Sequence, residues 1–515
     1  MIKIAGIFAI YKKTELSKSL ERRLLKLASR LRHRGLNNKF EYNKFPIQLI
    51  FYQMNNQGRE YIKSFAVNKE SDSILLIDGN FYNLQRLFNH LKEKNPVKTY
   101  ETVGIGDVLE GLQRFGKSFL KKLNGSFSGV WFDGKDMFGF KDPVGAKPLY
   151  YSNTDNYFVV SSEMKALSSL NTDIIPISPG NIISSNGRSQ LFYQFPDFVT
   201  CYKLNTNFIK KKIQKLNELI KVSIKDNINK GEKISVLLSG GIDSIIIAHV
   251  AKDLIDDLEV FTVGIDGSND LKYADKFAKI NNLTHHKIEV SIEEMFNSLQ
   301  SVIYALETFD AALIRSSVPM FLLSKYIHDR NGTDVLLTGE GGDELFGGYD
   351  YLSEFKTIEL VHQELRSLLE IEHITGLQRV DRIPYHFSIE ARAPIFDRRI
   401  VEFSFSIPLE LKIYKNNYGK AEKWILRKAF ETEIQDEFIW RKKQKFSDGA
   451  GTEFLLKNYV EDLISDEEYI EECRITHDFN IRSKEELHYW RIFEQKFSPT
   501  LKTINQIGIT SNYKI

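Results

Sequence analysis

At 515 residues the chain is long enough for two or three domains. Its 42% hydrophobic and 27% charged residues are those of a folded globular protein, which excludes a disordered or fibrous chain. The 70 Lys and Arg against 68 Asp and Glu leave a formal charge of +2, too balanced for a global nucleic-acid or anionic-membrane footprint. The 2 cysteines, Cys201 and Cys473, cannot build a disulfide scaffold or a zinc cluster, and they fit a reducing, cytoplasmic compartment. No apolar run reaches the roughly 18 to 20 residues of a membrane span, so neither nucleic acid nor membrane is expected as a partner.

The opening Met1–Tyr11 reads as a buried strand and not a signal peptide, because Lys12 and Lys13 interrupt it and no small-residue cleavage pattern follows. Leu20, Leu24, Leu27 and Leu31 form one stripe of a helix over 17–31. Strand patterns follow at 74–77, 129–132, 137–141, 149–151 and 158–161, with a helix over 107–115 between the first two. Turn signals such as Asp78-Gly79 and Asp133-Gly134 separate the strands, the mark of an α+β domain with antiparallel pairing. Residues 1–195 are expected to form this first domain, and a polar connection near 194–207 to leave it.

From about Phe208 strands alternate with helices, which predicts a parallel sheet covered on both faces. Helices are expected at 208–229, 244–254 and 272–281, and strands at 234–238, 260–263, 286–290 and 334–338. Beyond Gly347 the pattern is almost wholly helical, and residues 208–515 are expected to form the second domain.

Ser239-Gly240-Gly241-Ile242-Asp243-Ser244 stands directly after the 234–238 strand and before an apolar helix. Such a turn presents backbone N–H groups and a helix N-terminus to an anion, and the two glycines allow close approach. There is no Gly-Lys-Ser/Thr grip and no dinucleotide fingerprint, so a pyrophosphate cradle is the functional reading and an ordinary glycine turn the plain one. A second loop, Gly339-Glu340-Gly341-Gly342-Asp343-Glu344, follows the 334–338 strand. Three acids in five residues repel one another, and are tolerable facing a cation or a reacting amine. Two such loops at the carboxyl ends of parallel strands meet at one crevice.

On these segments, with Thr262–Gly264, Ile389–Asp397 and Trp440–Gly451, the chain resembles the glutamine-dependent asparagine synthetases. Arg32–Gly35, Asp78–Asn83 and Lys141–Tyr150 extend the resemblance to the first half, so it runs collinearly from residue 4 to about Pro499. It implies an N-terminal-nucleophile-hydrolase-like glutaminase domain followed by an ATP-pyrophosphatase domain. In that family ATP adenylates a carboxylate, pyrophosphate leaves, and an amine attacks the acyl-adenylate. Carried over, Ser239, Gly240, Gly241, Asp243 and Ser244 would hold pyrophosphate, and Asp243 and Asp343 would hold Mg²⁺. Leu237, Val263, Thr338 and Gly339 would line the adenosine site. Glu340 matches the family's general base. Lys443 matches the lysine that neutralises charge on the adenylate phosphate; by itself it would read as part of a solvated basic run. Glu390, Arg392 and Asp397 read as a buried ion network. The family also implies a head-to-tail homodimer.

The chain departs from the family in two places. The nucleophilic cysteine of the glutaminase is replaced by Ala5, Ile2 is too bulky for removal of the initiator methionine, and no arginine stands near 49–55 to grip a glutamine carboxylate. Asn-Gly-Glu has become Asp78-Gly79-Asn80, and Asp107 alone of the glutamine pocket is kept. An inactive glutaminase domain is therefore expected, with free ammonia, an amine carried by the substrate or a partner, or ammonia channelled from a partner glutaminase as nitrogen source. In the synthetase half the family's Thr-Thr pair has become Ala312-Leu313, while Arg315 is kept. Replacing two hydroxyls by hydrocarbon leaves aspartate as the first expectation and another carboxylic acid as the next. The alternative activities are intramolecular or peptide amide formation, as in β-lactam synthetases and macrolactam cyclases, and a catalytically silent nucleotide-binding scaffold.

Overall fold

The computed structural model describes residues 5–35, 38–53, 65–93, 104–199, 204–330, 332–416, 419–442, 449–475 and 479–510. They fall into two compact units: the residues up to Gln194 with Phe493–Ile507, and Phe195–Ile492 with those from Gly508 on.

In the first unit, two six-stranded sheets form. One runs in the order Ile175–Pro176, Tyr150–Asn153, Tyr157–Ser161, Ala5–Lys12, Ile47–Gln53, Asn38–Lys44; the other runs Ser189–Leu191, Asn181–Ser184, Met137–Lys141, Gly125–Phe132, Ser73–Phe81, Phe65–Asn68. All pairings are antiparallel. Alternation along the strands builds the layers. Ile7 and Ala9, Leu49 and Phe51, Ile74 and Leu76, and Phe158 and Val160 share one core. The opposite side chains of the 73–81 strand, Leu75 and Ile77, pack with Val108, Leu109 and Leu112 of the Ile105–Phe115 helix. This is the α+β layering expected. Sequence reading missed the 38–44 and 47–53 hairpin, whose second strand is buried at every residue and so shows no alternation.

The second unit holds a five-stranded parallel sheet in the order Thr284–Glu289, Glu259–Gly264, Ile234–Leu237, Val335–Leu337, Glu390–Arg392. The first strand in the chain lies centrally, with later strands added on one side and then the other. The strand order therefore reverses between 234–237 and 335–337, and in such sheets the crevice at that reversal is where ligands bind. Helix Ile242–Ala251, apolar on nearly every face, is almost wholly buried, as a helix covering such a sheet must be.

Two details add to that reading. The largely helical region after Gly347 also contributes Glu390–Arg392, the fifth strand of the sheet. Its charge disguised it: Arg392 is buried against Glu390 and Glu232, each at 2.7 Å, so ion pairs replace the usual hydrocarbon. Phe493–Ile507 belong to the first unit. There Thr503 Oγ1 accepts from the Ile174 N–H at 3.0 Å, and Thr500 donates to Asp173 at 2.9 Å. Among the described residues no helix is long and apolar enough to cross a membrane.

Candidate active site

Both glycine loops leave the sheet at its reversal point. In the first, the serine hydroxyls are spent on the turn itself: Ser244 Oγ donates to the Gly241 carbonyl at 2.9 Å and accepts from the Ser239 N–H at 3.1 Å. Gly240 has φ +69°, a conformation that glycine adopts without strain. The second loop touches the first directly. A Cβ on Gly339 would fall 2.7 Å from the Ser244 nitrogen, and one on Gly342 would fall 2.0 Å from Asp243 Oδ1. Leu237, Val263 and Thr338 are buried where their strands end, and the Thr338 N–H donates to the Arg392 carbonyl at 2.9 Å.

Asp243 and Asp343 are joined by a residue that sequence reading did not single out. The ammonium of Lys423, only 1% exposed, pairs with Asp243 and lies 2.7 Å from Asp343 Oδ1. Burial alone would lower its pKa, but the two carboxylates outweigh that and hold it above the ordinary lysine value. Lys423 itself takes φ +53°, and no motif in Glu422-Lys423-Trp424 announces it. Oxygen donors on two loops, with glycines where a Cβ would collide, fit a hard cation such as Mg²⁺. No group of three or more candidate metal ligands occurs among the described residues. A pair of carboxylates suits an ion that arrives with phosphate oxygens of its own.

Glu340 faces a different partner: Arg379 Nη2 donates to it, while Arg379 Nη1 donates to Ser316 Oγ at 2.6 Å. Burial, with Asp343 and Glu340 nearby, pushes the neighbouring Glu344 up to about 7, and Tyr349 donates to Glu344. Burial first, then Glu344 and Glu340, holds Glu372 well above the usual carboxylate range. Tyr349 is thus committed to Glu344, and Tyr351 donates to Glu364 at 2.7 Å.

Lys443 lies outside the described residues. Of its basic run Arg441 is described, packed against the first loop and paired with Asp270 at 2.9 Å. Arg315 is engaged by Glu485 and lies 3.6 Å from Glu453, while Leu313 points into the core. The expected single ion network is two: Arg392 pairs with Glu390 and with Glu232, while Asp397 pairs separately with Arg399 at 2.5 Å.

In the first unit position 5 is alanine, and its strand begins opposite Gln53. The buried Asp78 carboxylate is paired with Arg34 at 3.0 Å, which also meets Glu163 at 2.8 Å. Asp107 accepts from the Gly104 N–H at 2.7 Å, capping its own helix. Cys473 lies in the Asp466–Ile475 helix of the second unit, and Cys201 outside the described residues.

The closeness of the two loops makes a demanding test. Gly342 has no positive φ, so Gly342→Ala adds no backbone strain and acts only by driving a methyl into Asp243, which Lys423 holds in place. The variant is expected to stay folded with a loss of about 1 to 3 kcal/mol and to lose ATP–pyrophosphate exchange by at least roughly tenfold. Urea unfolding and the exchange assay check both halves.

The asparagine synthase family model matches residues 215–375 and 354–497, together more than half of the chain, and a glutamine amidotransferase domain model matches 59–169. The chain is 30% identical to a probable asparagine synthetase (glutamine-hydrolysing) of Schizosaccharomyces pombe, covering 96% of this chain and 94% of that protein. It is likewise 30% identical to asparagine synthetase B of Escherichia coli K12, covering 96% and 91%, and to a Zea mays asparagine synthetase, covering 96% and 86%. Loops, sheet order and these full-length likenesses agree: the chain belongs to the asparagine synthase family.

Proposed function

We propose that the protein is an AMP-forming, ATP- and Mg²⁺-dependent amide ligase whose nitrogen comes from ammonia or an amine, and whose first unit does not hydrolyse glutamine. The observation that carries the reading is the convergence of Asp243 and Asp343, from two different loops, on the buried Lys423 at the sheet's reversal point. A carboxylate oxygen is a poor leaving group, and joining it to the α-phosphate of ATP makes it a good one. The Ser239–Ser244 turn would hold the pyrophosphate as it departs, with Lys423 as positive charge beside it. Mg²⁺ held by Asp243 and Asp343 would supply further counter-charge. Glu340, oriented by Arg379, would take the proton that the attacking amine sheds.

Ala5 supports the nitrogen assignment, because a methyl group cannot attack a glutamine amide. The Arg34–Asp78–Glu163 cluster supports a structural role for what remains of that pocket. Family membership favours aspartate as the acid. Ala312, Leu313 and the engagement of Arg315 by Glu485 favour a less polar acid, and this second reading is kept on that ground.

ATP–pyrophosphate exchange across a panel of carboxylic acids, followed by isotope tracing, tests both. Exchange is expected with aspartate or with one other acid, and AMP as product. Nitrogen from labelled ammonia is expected in the amide, with none from the side chain of labelled glutamine. Release of ADP and orthophosphate would overturn the ligase reading, and label arriving from glutamine with the purified chain alone would overturn the nitrogen assignment.

A further inference from the structure

Arg441 makes three contacts at the edge of the nucleotide crevice that sequence motifs do not assign. Its Nη2 donates to Asp270 Oδ1 at 2.9 Å, with both side chains only 6% exposed. Its guanidinium carbon lies 4.2 Å from the centre of the Tyr273 ring, a cation–π distance. Its Nη1 donates to the Ser239 carbonyl at 3.3 Å. Asp270 and Tyr273 belong to one helix, Asn269–Ile280, so the guanidinium is fixed from one rigid element and applied to the loop of another. The loop is shaped to receive it. A Cβ on Gly240 would lie 2.8 Å from Arg441 Nη1, so any other residue there would push the guanidinium away.

We infer that Arg441 is a positioning residue for pyrophosphate: by taking the Ser239 carbonyl on one side of the loop, it aims the Gly240 N–H at the anion on the other. The peptide between them is trans, and in a trans peptide C=O and N–H point to opposite sides of the chain. Anchoring the carbonyl therefore fixes the direction of the donor. Among the described residues no acceptor takes the Gly240 N–H, so it is available for a phosphate oxygen. Without the guanidinium the peptide is held only by its neighbours and, at a glycine, can rotate at small cost. The inference rests on the ATP reading above and deepens it by naming what orients the anion-binding backbone.

The experiment measures dissociation constants for pyrophosphate and for AMP, with Mg²⁺ present, on the full chain carrying Arg441→Met, Arg441→Lys or Asp270→Asn. Pyrophosphate binding is expected to weaken about tenfold in Arg441→Met, the scale of one lost charge-assisted hydrogen bond. It should weaken also in Arg441→Lys, because a compact ammonium cannot hold Asp270, Tyr273 and the Ser239 carbonyl together. AMP binding should stay within about twofold, since the adenosine side would rest on Leu237, Val263 and Thr338. Asp270→Asn is expected to reproduce the selective loss in milder form with Arg441 still present. Equal weakening of AMP and pyrophosphate would mark a merely structural residue and overturn the inference. So would unchanged pyrophosphate binding in Arg441→Met, or full recovery in Arg441→Lys. A wild-type chain that binds neither ligand would instead strike the ATP reading itself.

Discussion

Lys423→Met is expected to lose ATP–pyrophosphate exchange by more than about a hundredfold and to unfold at clearly lower urea concentration. The reason is that Lys423 is the shared partner of two carboxylates. Its removal leaves Asp243 and Asp343, with side chains 16% and 22% exposed, facing each other without the ammonium between them. Breaking a buried ion pair from one side typically costs about 3 to 5 kcal/mol, and partial exposure of the acids argues for the lower end. Lys423→Arg should not rescue it. Gly348 packs so tightly that a Cβ there would lie 2.3 Å from Lys423 Cε, leaving no room for a planar guanidinium. The sign of the pH dependence follows from the raised pKa of Lys423. Its stabilising contribution is complete at neutral pH, below the ordinary lysine value near 10.4, and fades only in strong alkali as the folded-state pKa is crossed. In the variant, millimolar Mg²⁺ should restore part of the lost stability, because a divalent ion can take the place of the missing charge. Urea titrations of both proteins with and without Mg²⁺ check this; wild-type stability and exchange in Lys423→Met would refute the role.

The parts of the site legible in sequence are those whose chemistry is local. Gly240 at φ +69° and Gly341 at φ +104° need glycine, and the acids beside them stand in one short run, so both loops could be read before any fold was known. Lys423 could not. Its neighbours form no pattern, and what makes it functional is burial between two loops about 80 and 180 residues earlier in the chain. Arg441 was hidden by its company, since a basic run reads as a solvated face until Asp270 and Tyr273 are seen beside one member of it. The same distinction holds for the fold. The strands at 234–237, 259–264 and 335–337 announced themselves by apolar runs between helices, while Glu390–Arg392 is three residues long and satisfied by charges from elsewhere. Arg315 could be read from its motif, but its partner Glu485, 170 residues away, could not.

Glu340→Ala is expected to abolish amide formation, by about a hundredfold or more, while sparing much of the pyrophosphate exchange. The two steps ask different things of the site. Adenylation would need positive charge around the leaving pyrophosphate, and the proposed source is Lys423, held between the two loops. Amine attack makes a nitrogen that must lose a proton, and Glu340 is the carboxylate that Arg379, braced by Ser316, holds at the start of the second loop. Glu344 is a poor substitute as base, because it is buried and already takes the hydrogen bond of Tyr349. Removing Glu340 should also relieve part of the repulsion that keeps Glu344 near 7, so the residual activity should change its pH profile and not only its height. Glu340→Gln separates chemistry from packing: it preserves a hydrogen-bond acceptor for Arg379 but cannot accept the proton. Both variants should therefore accumulate enzyme-bound acyl-adenylate in a single turnover and release amide slowly. Equal loss of exchange and amide formation in Glu340→Gln would remove the base assignment and make Glu340 a support for the nucleotide loops instead.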